Sequence, residues 1–260
     1  MFVRRGPVAQ RLSVAMCFML FSSLPLCGAQ AAPATTAPAH PADAYQIAHD
    51  KQLLTDFGWL ARFKEADEKL GPPAPGQRRV VFMGDSITEG WHFDEPSGFP
   101  GKGYINRGIS GQTSPQMLVR FRQDVIDLHP KVVVILAGTN DIAANTGPMT
   151  LEQTESNIES MADLATANHI RVVLCSILPA FDFPWHHGLE PAPKIDTVNA
   201  WMKSYAAEKD YVYVDYHSAM KDARDGLPAN LSHDGVHPTA AGYAIMAPLA
   251  EAGIAKALAQ

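Results

Sequence analysis

Four short apolar runs recur along the chain, and longer segments with helical periodicity separate them. The runs cover residues 79–83, 132–137, 172–178 and 212–215, and a weaker one lies near residues 103–106. Continuous apolar runs of this length, rich in valine and isoleucine, are typical of strands that are buried on both faces of a parallel sheet. Their alternation with helical segments predicts an α/β fold in which helices cover both faces of the sheet.

The segments between the runs carry apolar residues three and four positions apart, the spacing of a helix that buries one face. Ser114 and Pro115 indicate the start of one helix, because serine is favoured as an N-cap and proline at the first helical position. Thr150 and Gln153 form a capping-box pattern at the start of another helix. Further helices are expected over residues 195–205 and 239–258.

The first 31 residues have the order of a secretory signal peptide. Three arginines precede an apolar run over residues 12–26, and the small residues that follow predict cleavage after Ala31. The run is shorter than the roughly 20 residues that a membrane-spanning helix needs. We therefore predict export, with the mature protein periplasmic or secreted and without stable membrane insertion. The Arg4-Arg5 pair and Cys27 leave twin-arginine export and lipoprotein anchoring open as alternatives.

The segment before the first apolar run has two parts. Residues 32–43 are rich in alanine, proline and threonine without apolar periodicity, which predicts a flexible spacer. Residues 44–76 are expected to form an N-terminal helix and a Gly/Pro-rich linker, and residues 77–260 a single domain. The apolar face of the N-terminal helix is expected to carry Leu53, Leu54, Phe57, Leu60 and Phe63.

Composition excludes several classes of protein. The 260 residues are 47% hydrophobic and 18% charged, which is typical of a globular chain and not of a disordered one. A net charge of −6 without a basic block argues against a nucleic-acid partner. Only Cys175 lies beyond the predicted cleavage site, so we expect no internal disulfide bond.

Candidate functional residues follow the predicted strands. Ligands of open α/β sheets bind at the carboxyl ends of the strands. Ser86 follows the first run in GDSITEGW, and Asn140 follows a later one in GTND. Between them NRGISGQTS carries Gly108 and Gly111, where a backbone N–H can approach a ligand closely. Each also has an ordinary structural interpretation: Ser86 as a helix N-cap, the glycines as turn residues, and Asn140 in an Asx-turn.

A candidate base lies near the end of the chain, in SHDGVHP. Asp234 precedes His237 by three residues and is expected to hydrogen-bond its imidazole. That bond fixes the tautomer, so that the other ring nitrogen can take a proton from a serine. His233 has no acid at this spacing and is expected at the rim. Nucleophile, base, orienting acid and oxyanion donors together are the groups that acyl transfer requires.

The four motifs GDSIT, NRGISGQTS, GTND and DGVHP, in this order, resemble the SGNH hydrolase (GDSL esterase/lipase) superfamily. Its platelet-activating-factor acetylhydrolase-like and carbohydrate acetylesterase-like members are the most similar. The resemblance implies a three-layer α/β/α fold of flavodoxin-like type, with a five-stranded parallel sheet. It also implies that Ser86 is the nucleophile, His237 the base and Asp234 its partner. The oxyanion hole would be formed by the N–H groups of Ser86 and Gly111 and by the side chain of Asn140.

Two tryptophans are candidates for substrate contact. Trp185 lies in a Pro- and aromatic-rich loop over residues 179–193 and is expected to stack on a sugar ring. Trp91 is expected to line the acyl pocket, and ordinary packing is the alternative for both rings. No cofactor or metal is expected, because adjacent His186 and His187 point apart on any regular backbone and no H-E-x-x-H pattern is present.

We therefore predict an exported serine esterase that hydrolyses short-chain esters, chiefly acetyl esters, of a carbohydrate. The expected partner is a small-molecule or glycan ester. A lysophospholipase or thioesterase is the main alternative, and an acyltransferase or a non-catalytic glycan-binding module are further ones. The sequence makes no prediction of the oligomeric state.

Overall fold

Five parallel strands form one sheet in the computed structural model, which describes residues 41–260. The strands are β1 (Val80–Gly84), β2 (Ile105–Gly108), β3 (Val132–Leu136), β4 (Arg171–Cys175) and β5 (Val212–Val214). Their order across the sheet is β2-β1-β3-β4-β5. All four strong runs and the weaker one are strands, which confirms the predicted α/β fold with a five-stranded parallel sheet.

Helices cover both faces of the sheet, because alternate residues of each buried strand point to opposite sides. In β1, Val81 and Met83 pack with helices on one face of the sheet, whereas Val80 and Phe82 pack with helices on the other face. The predicted three layers are thus present. The helices are α1 (Pro41–Thr55), α2 (Lys64–Leu70), α3 (Ser86–Glu89), α4 (Ser114–Asp124), α5 (Thr139–Ile142), α6 (Leu151–Ala167), α7 (Pro191–Glu208), α8 (Tyr216–Met220) and α9 (Ala240–Ala259).

The helix starts follow the sequence signals with one difference. At α6, the Gln153 N–H donates to Thr150 Oγ1 at 3.2 Å and the Thr150 N–H donates to Gln153 Oε1 at 2.9 Å, as the capping box predicts. At α4 the cap is Thr113 instead of the expected Ser114. The Ser114 hydroxyl and N–H both donate to the carboxylate of Asp141, so this serine joins α4 to α5.

The expectation of one N-terminal helix before the linker is wrong, because the chain turns between α1 and α2. The Asp56 carboxylate accepts hydrogen bonds from the N–H groups of Leu60 and Ala61, at 2.8 and 2.9 Å, and so stabilises a turn. Trp59 within this turn has a φ of 53°, which a helix does not allow. The expected apolar face therefore does not form, and Leu54, Phe57 and Leu60 are exposed.

Glutamines of the main domain hold this turn in place. Gln112 donates to the carbonyl of Gly58 at 3.0 Å, and Gln116 donates to that of Phe57 at 2.9 Å. A buried ion pair between Arg107 and Asp67 fixes α2 in the same way. The segment from α1 to α2 thus packs beside the loop that follows β2, where the candidate oxyanion residue Gly111 lies.

The predicted signal peptide, residues 1–31, lies outside the described residues, as does the spacer up to residue 40. Helix α1 begins at Pro41, three residues before the expected start of the helical segment. Within residues 41–260, no helix is both long enough and apolar enough to cross a membrane.

Candidate active site

Ser86 is the first residue of α3, directly after the tight turn at Asp85 that follows β1. The Asp85 carboxylate caps α3 by accepting a hydrogen bond from the Ile87 N–H at 2.9 Å. Burial raises the pKa of Asp85 to about 6. Asp85 therefore organises the turn that presents Ser86.

The side chains of Asp234 and His237, from near the end of the chain, meet Ser86 at this turn. Ser86 Oγ lies 2.9 Å from Nε2 of His237, and Nδ1 of the same ring lies 2.6 Å from Asp234 Oδ2. Both distances are within hydrogen-bonding range. The structure thus brings together the predicted nucleophile Ser86, the base His237 and the orienting carboxylate Asp234 in one hydrogen-bonded row.

Asp234 is held by more than the imidazole. Its Oδ1 accepts hydrogen bonds from the N–H groups of Val236 and His237, at 2.9 and 2.8 Å, and from the hydroxyl of Ser232 at 3.0 Å. Partial burial acts to raise the pKa of Asp234, but the hydrogen bonds from His237 and Val236 outweigh it and lower the pKa to about 2. The carboxylate therefore stays ionised and fixed in orientation over the whole neutral and mildly acidic range.

The side chain of Asn140 is buried beside Asp85. Its Nδ2 donates to the Gln112 carbonyl at 3.0 Å and, over a longer 3.3 Å, to Asp85 Oδ2. Its Oδ1 accepts a hydrogen bond from Asn145 Nδ2 at 2.8 Å. These three contacts fix which end of the amide is the donor, and they leave the long contact to Asp85 as the one most easily exchanged.

A cavity of about 460 Å³ opens at Ser86. We call it the Ser86 cavity. Gly111 lies on its wall with a φ of 76°, a conformation that favours glycine. The other residues that line it are His49, Asp50, Leu53, Ser110, Asn140, Asn145, Trp185 and His237.

Asn145 is a site residue that sequence reasoning missed. Besides its bond to Asn140, it donates to the Gly111 carbonyl at 3.3 Å and accepts from Trp185 Nε1 at 3.0 Å. The chain reaches this position because Ala144 has a φ of 56°, which ends α5 and folds Asn145 back over it. No motif marks such a turn, so the sequence carried no signal for Asn145.

Glu89, at the end of α3, joins the nucleophile helix to the loop of Gly111. Its Oε2 accepts hydrogen bonds from the N–H and hydroxyl of Ser110, and its Oε1 lies 3.0 Å from Nη2 of Arg62. Partial burial acts to raise the pKa of Glu89, but the bonds from Ser110 and Arg62 outweigh it and lower the pKa. Glu89 is thus a charged connection between three segments around the cavity.

The two candidate tryptophans lie in different environments. Trp185 is 44% exposed on the wall of the Ser86 cavity, with its ring centroid 5.9 Å from that of His237. Trp91 is buried, stacks on Tyr243 at 5.2 Å and donates from Nε1 to the Ser97 carbonyl at 3.0 Å. The expectation that Trp91 lines the acyl pocket is therefore corrected, because the ring packs in an aromatic cluster instead of facing Ser86.

The part of the chain that carries the candidate site residues is similar to a known family of proteins. The model of the GDSL-like Lipase/Acylhydrolase family matches residues 82–245. An acetylxylan esterase from Geobacillus stearothermophilus is 27% identical over 203 residues, which cover 65% of this chain and 90% of that protein. The matched family segment contains Ser86, Gly111, Asn140, Asp234 and His237.

Two solved structures are more similar still. A protein from Bacteroides fragilis, assigned as an acylhydrolase, is 48% identical with a TM-score of 0.76, over 78% of this chain and 99% of that one. A GDSL-like lipase from Bacteroides thetaiotaomicron is 47% identical with a TM-score of 0.75, over 78% of this chain and 100% of that one.

Proposed function

Because the chain belongs to the GDSL-like lipase/acylhydrolase family of SGNH hydrolases and is a carboxylic ester hydrolase, we propose that it removes short acyl groups, chiefly acetyl, from a carbohydrate. The predictions of the superfamily and of an esterase are thereby confirmed. The observation that carries the serine-esterase mechanism is the unbroken chain of hydrogen bonds from Ser86 through His237 to Asp234.

The proposed reaction proceeds through an acyl-enzyme. Ser86 Oγ attacks the ester carbonyl carbon while His237 Nε2 takes the hydroxyl proton, and the carbonyl electron pair moves onto oxygen. When the tetrahedral intermediate collapses, the C–O bond to the alcohol breaks and His237 returns the proton to the leaving oxygen. Water, deprotonated by His237, then attacks the carbonyl carbon of the acyl-enzyme. The bond from this carbon to Ser86 Oγ breaks, His237 returns the proton to Oγ, and the carboxylic acid leaves.

We propose that the oxyanion is held by the N–H groups of Ser86 and Gly111 and by Asn140 Nδ2. The Gln112 carbonyl already orients this amide at 3.0 Å. An oxyanion would replace the longer 3.3 Å contact to Asp85, so stabilisation is greatest when negative charge develops.

Asn140→Ala tests this assignment. Loss of one oxyanion donor typically lowers kcat by about 100- to 1000-fold, and we expect that loss in steady-state kinetics on p-nitrophenyl acetate. Asn199→Ala is a matched control, because Asn199 is also buried and bonds to the N–H and carbonyl of Ile177 at 2.8 and 3.0 Å. The control is expected to lower stability with little change in kcat. Near-full activity of Asn140→Ala would show that the assignment is wrong.

The lining of the Ser86 cavity supports a short acyl group. Leu53 and Trp185 are its main apolar side chains, and the rest of the wall is polar or glycine. A long acyl chain needs a continuous apolar surface to leave water, which a lysophospholipase or long-chain thioesterase would provide. The similarity to an acetylxylan esterase supports acetyl as the acyl group and a glycan as the alcohol.

The acyl preference is tested with p-nitrophenyl esters from acetate to palmitate. We expect kcat/KM to fall at least tenfold from butyrate to octanoate, because further methylene groups meet no apolar wall. A maximum at long chains would favour the lipid alternative. Faster acyl transfer to an added sugar than to water would favour an acyltransferase, and a folded protein without activity on any ester would favour the glycan-binding module.

We also propose that residues 1–31 direct export and are then removed. The order of basic, apolar and small residues supports this. Mass spectrometry of the protein recovered outside the cytoplasm identifies the mature N-terminus.

A further inference from the structure

The Ser86 cavity is one end of a longer groove. A second cavity of about 380 Å³, here called the Trp59 cavity, shares His49 and Ser110 with it. A third of about 540 Å³, the Phe93 cavity, shares Arg62 and Glu89 with the second. Because each neighbouring pair has lining residues in common, the three cavities lie next to one another in a row that leads away from Ser86, and we call this row the groove.

The N-terminal segment forms one wall of this groove. His49 and Gln52 of α1 line the Trp59 cavity, together with Trp59 and Arg62 of the turn before α2. Trp59 is 37% exposed, and the guanidinium of Arg62 lies 5.9 Å from its ring centroid. The turn that breaks the expected helix thus places an accessible aromatic ring beside polar side chains.

The chemistry of the lining restricts what the groove can bind. Arg62 and Glu89 are already paired at 3.0 Å, and Asp94 and Glu95 add negative charge in the Phe93 cavity. A long acyl chain would have to lie against these charged groups as well as the aromatic rings, and a polyanion would be repelled by the carboxylates. A neutral chain rich in hydroxyl groups fits, because it offers flat apolar faces to aromatic rings and hydrogen bonds to fixed polar groups.

We propose that this groove binds the alcohol part of the ester as an extended oligosaccharide. The sugar that carries the acetyl group lies at Ser86, and further units of the same chain lie over Trp59 and toward Phe93. This inference rests on the proposed function of the Ser86 site. It makes the substrate an acetylated oligosaccharide or polysaccharide, not a free acetylated monosaccharide.

The test uses acetylated xylo-oligosaccharides of one to six units, with p-nitrophenyl acetate as a substrate too small to fill the groove. For the wild-type protein we expect kcat/KM to rise at least tenfold from one to four units. For Trp59→Ala we expect the ratio of kcat/KM on the four-unit substrate to that on p-nitrophenyl acetate to fall at least tenfold, mainly through KM. Trp201→Ala is the matched control, because this ring stacks on Tyr205 of α7 and lines none of the three cavities. Its ratio is expected to match the wild type.

Trp59→Leu keeps an apolar side chain in the turn and supplies the same measurement if Trp59→Ala does not fold. A wild-type rate that is independent of oligosaccharide length would overturn the inference, as would an unchanged ratio in a folded Trp59 variant. Both results leave hydrolysis of p-nitrophenyl acetate in place. Failure of the proposed function is recognised separately, by the absence of activity on every acetyl ester.

Discussion

Ser86→Ala is expected to lower kcat on p-nitrophenyl acetate by on the order of 10⁶-fold, the loss that a serine hydrolase shows without its nucleophile. The variant keeps any oxyanion donors and the cavity, but no atom at residue 86 can then form the acyl-enzyme. Ser86 Oγ has His237 Nε2 as its side-chain partner at 2.9 Å. Removal of the hydroxyl therefore leaves the packing of β1 and α3 intact, and the midpoint of thermal unfolding is expected to stay close to that of the wild type.

Ser204→Ala is the matched control for this substitution. Its hydroxyl is exposed on α7 and donates to the Ala200 carbonyl at 3.0 Å, so the same atom is removed far from the chemistry. We expect wild-type kcat. Burst kinetics supply a second measurement, because wild-type protein releases p-nitrophenol in a rapid first turnover wherever deacylation is slow. If Ser86→Ala retained even one hundredth of wild-type kcat above the uncatalysed rate, another group would have to be the nucleophile.

The second largest effect is expected for Asp234→Asn, which should lower kcat by about 10⁴-fold. An amide in this position can donate to Nδ1 of His237 and so place the proton on Nε2. The ring then cannot accept the proton of Ser86, although the three side chains keep their places. Activity near the wild-type value would show that Asp234 only holds the loop.

The low pKa of Asp234 makes the free energy of unfolding depend on pH. Its folded pKa of about 2 lies below its ordinary value of 3.8, so the ionised carboxylate stabilises the folded state above pH 3.8. This contribution is lost as the pH falls through about 2. The difference in free energy of unfolding between wild type and Asp234→Asn should therefore shrink on acidification over this interval, as urea titrations measure. A difference that stayed constant between about pH 4 and about pH 2 would contradict this interpretation.

Much of the fold could be predicted because the sequence of a buried parallel strand is an uninterrupted apolar run. β1 and β3 are buried at all five positions of each, and the sequence over them contains no polar side chain. The Asp234–His237 pair was equally accessible, because a contact across three residues depends on local geometry alone. Ser86 became a candidate from the rule that ligands lie beyond the carboxyl ends of the strands, and its role as nucleophile was implied by the resemblance of the four motifs.

The features that could not be predicted depend on contacts between distant segments. The turn at Asp56 was hidden because apolar spacing alone does not show that a carboxylate caps Leu60 and Ala61. Trp91 and Trp185 have the same side chain, and only the folded chain decides that Trp91 packs against Tyr243 while Trp185 reaches the cavity. Asn145 acts through Asn140 and Gly111, which lie on two other loops or helices.

The position of the turn before α2 has a consequence for how such an enzyme can change. The family match begins at residue 82, whereas the wall that carries Trp59 and Arg62 precedes it and is held by Gln116 of α4 and by Gln112 of the loop before α4. One wall of the proposed glycan groove is therefore encoded outside the stretch that carries Ser86, Asp234 and His237. We expect that exchange of the segment from α1 to α2 would change which glycan the protein prefers, while Ser86, His237 and Asp234 stay the same.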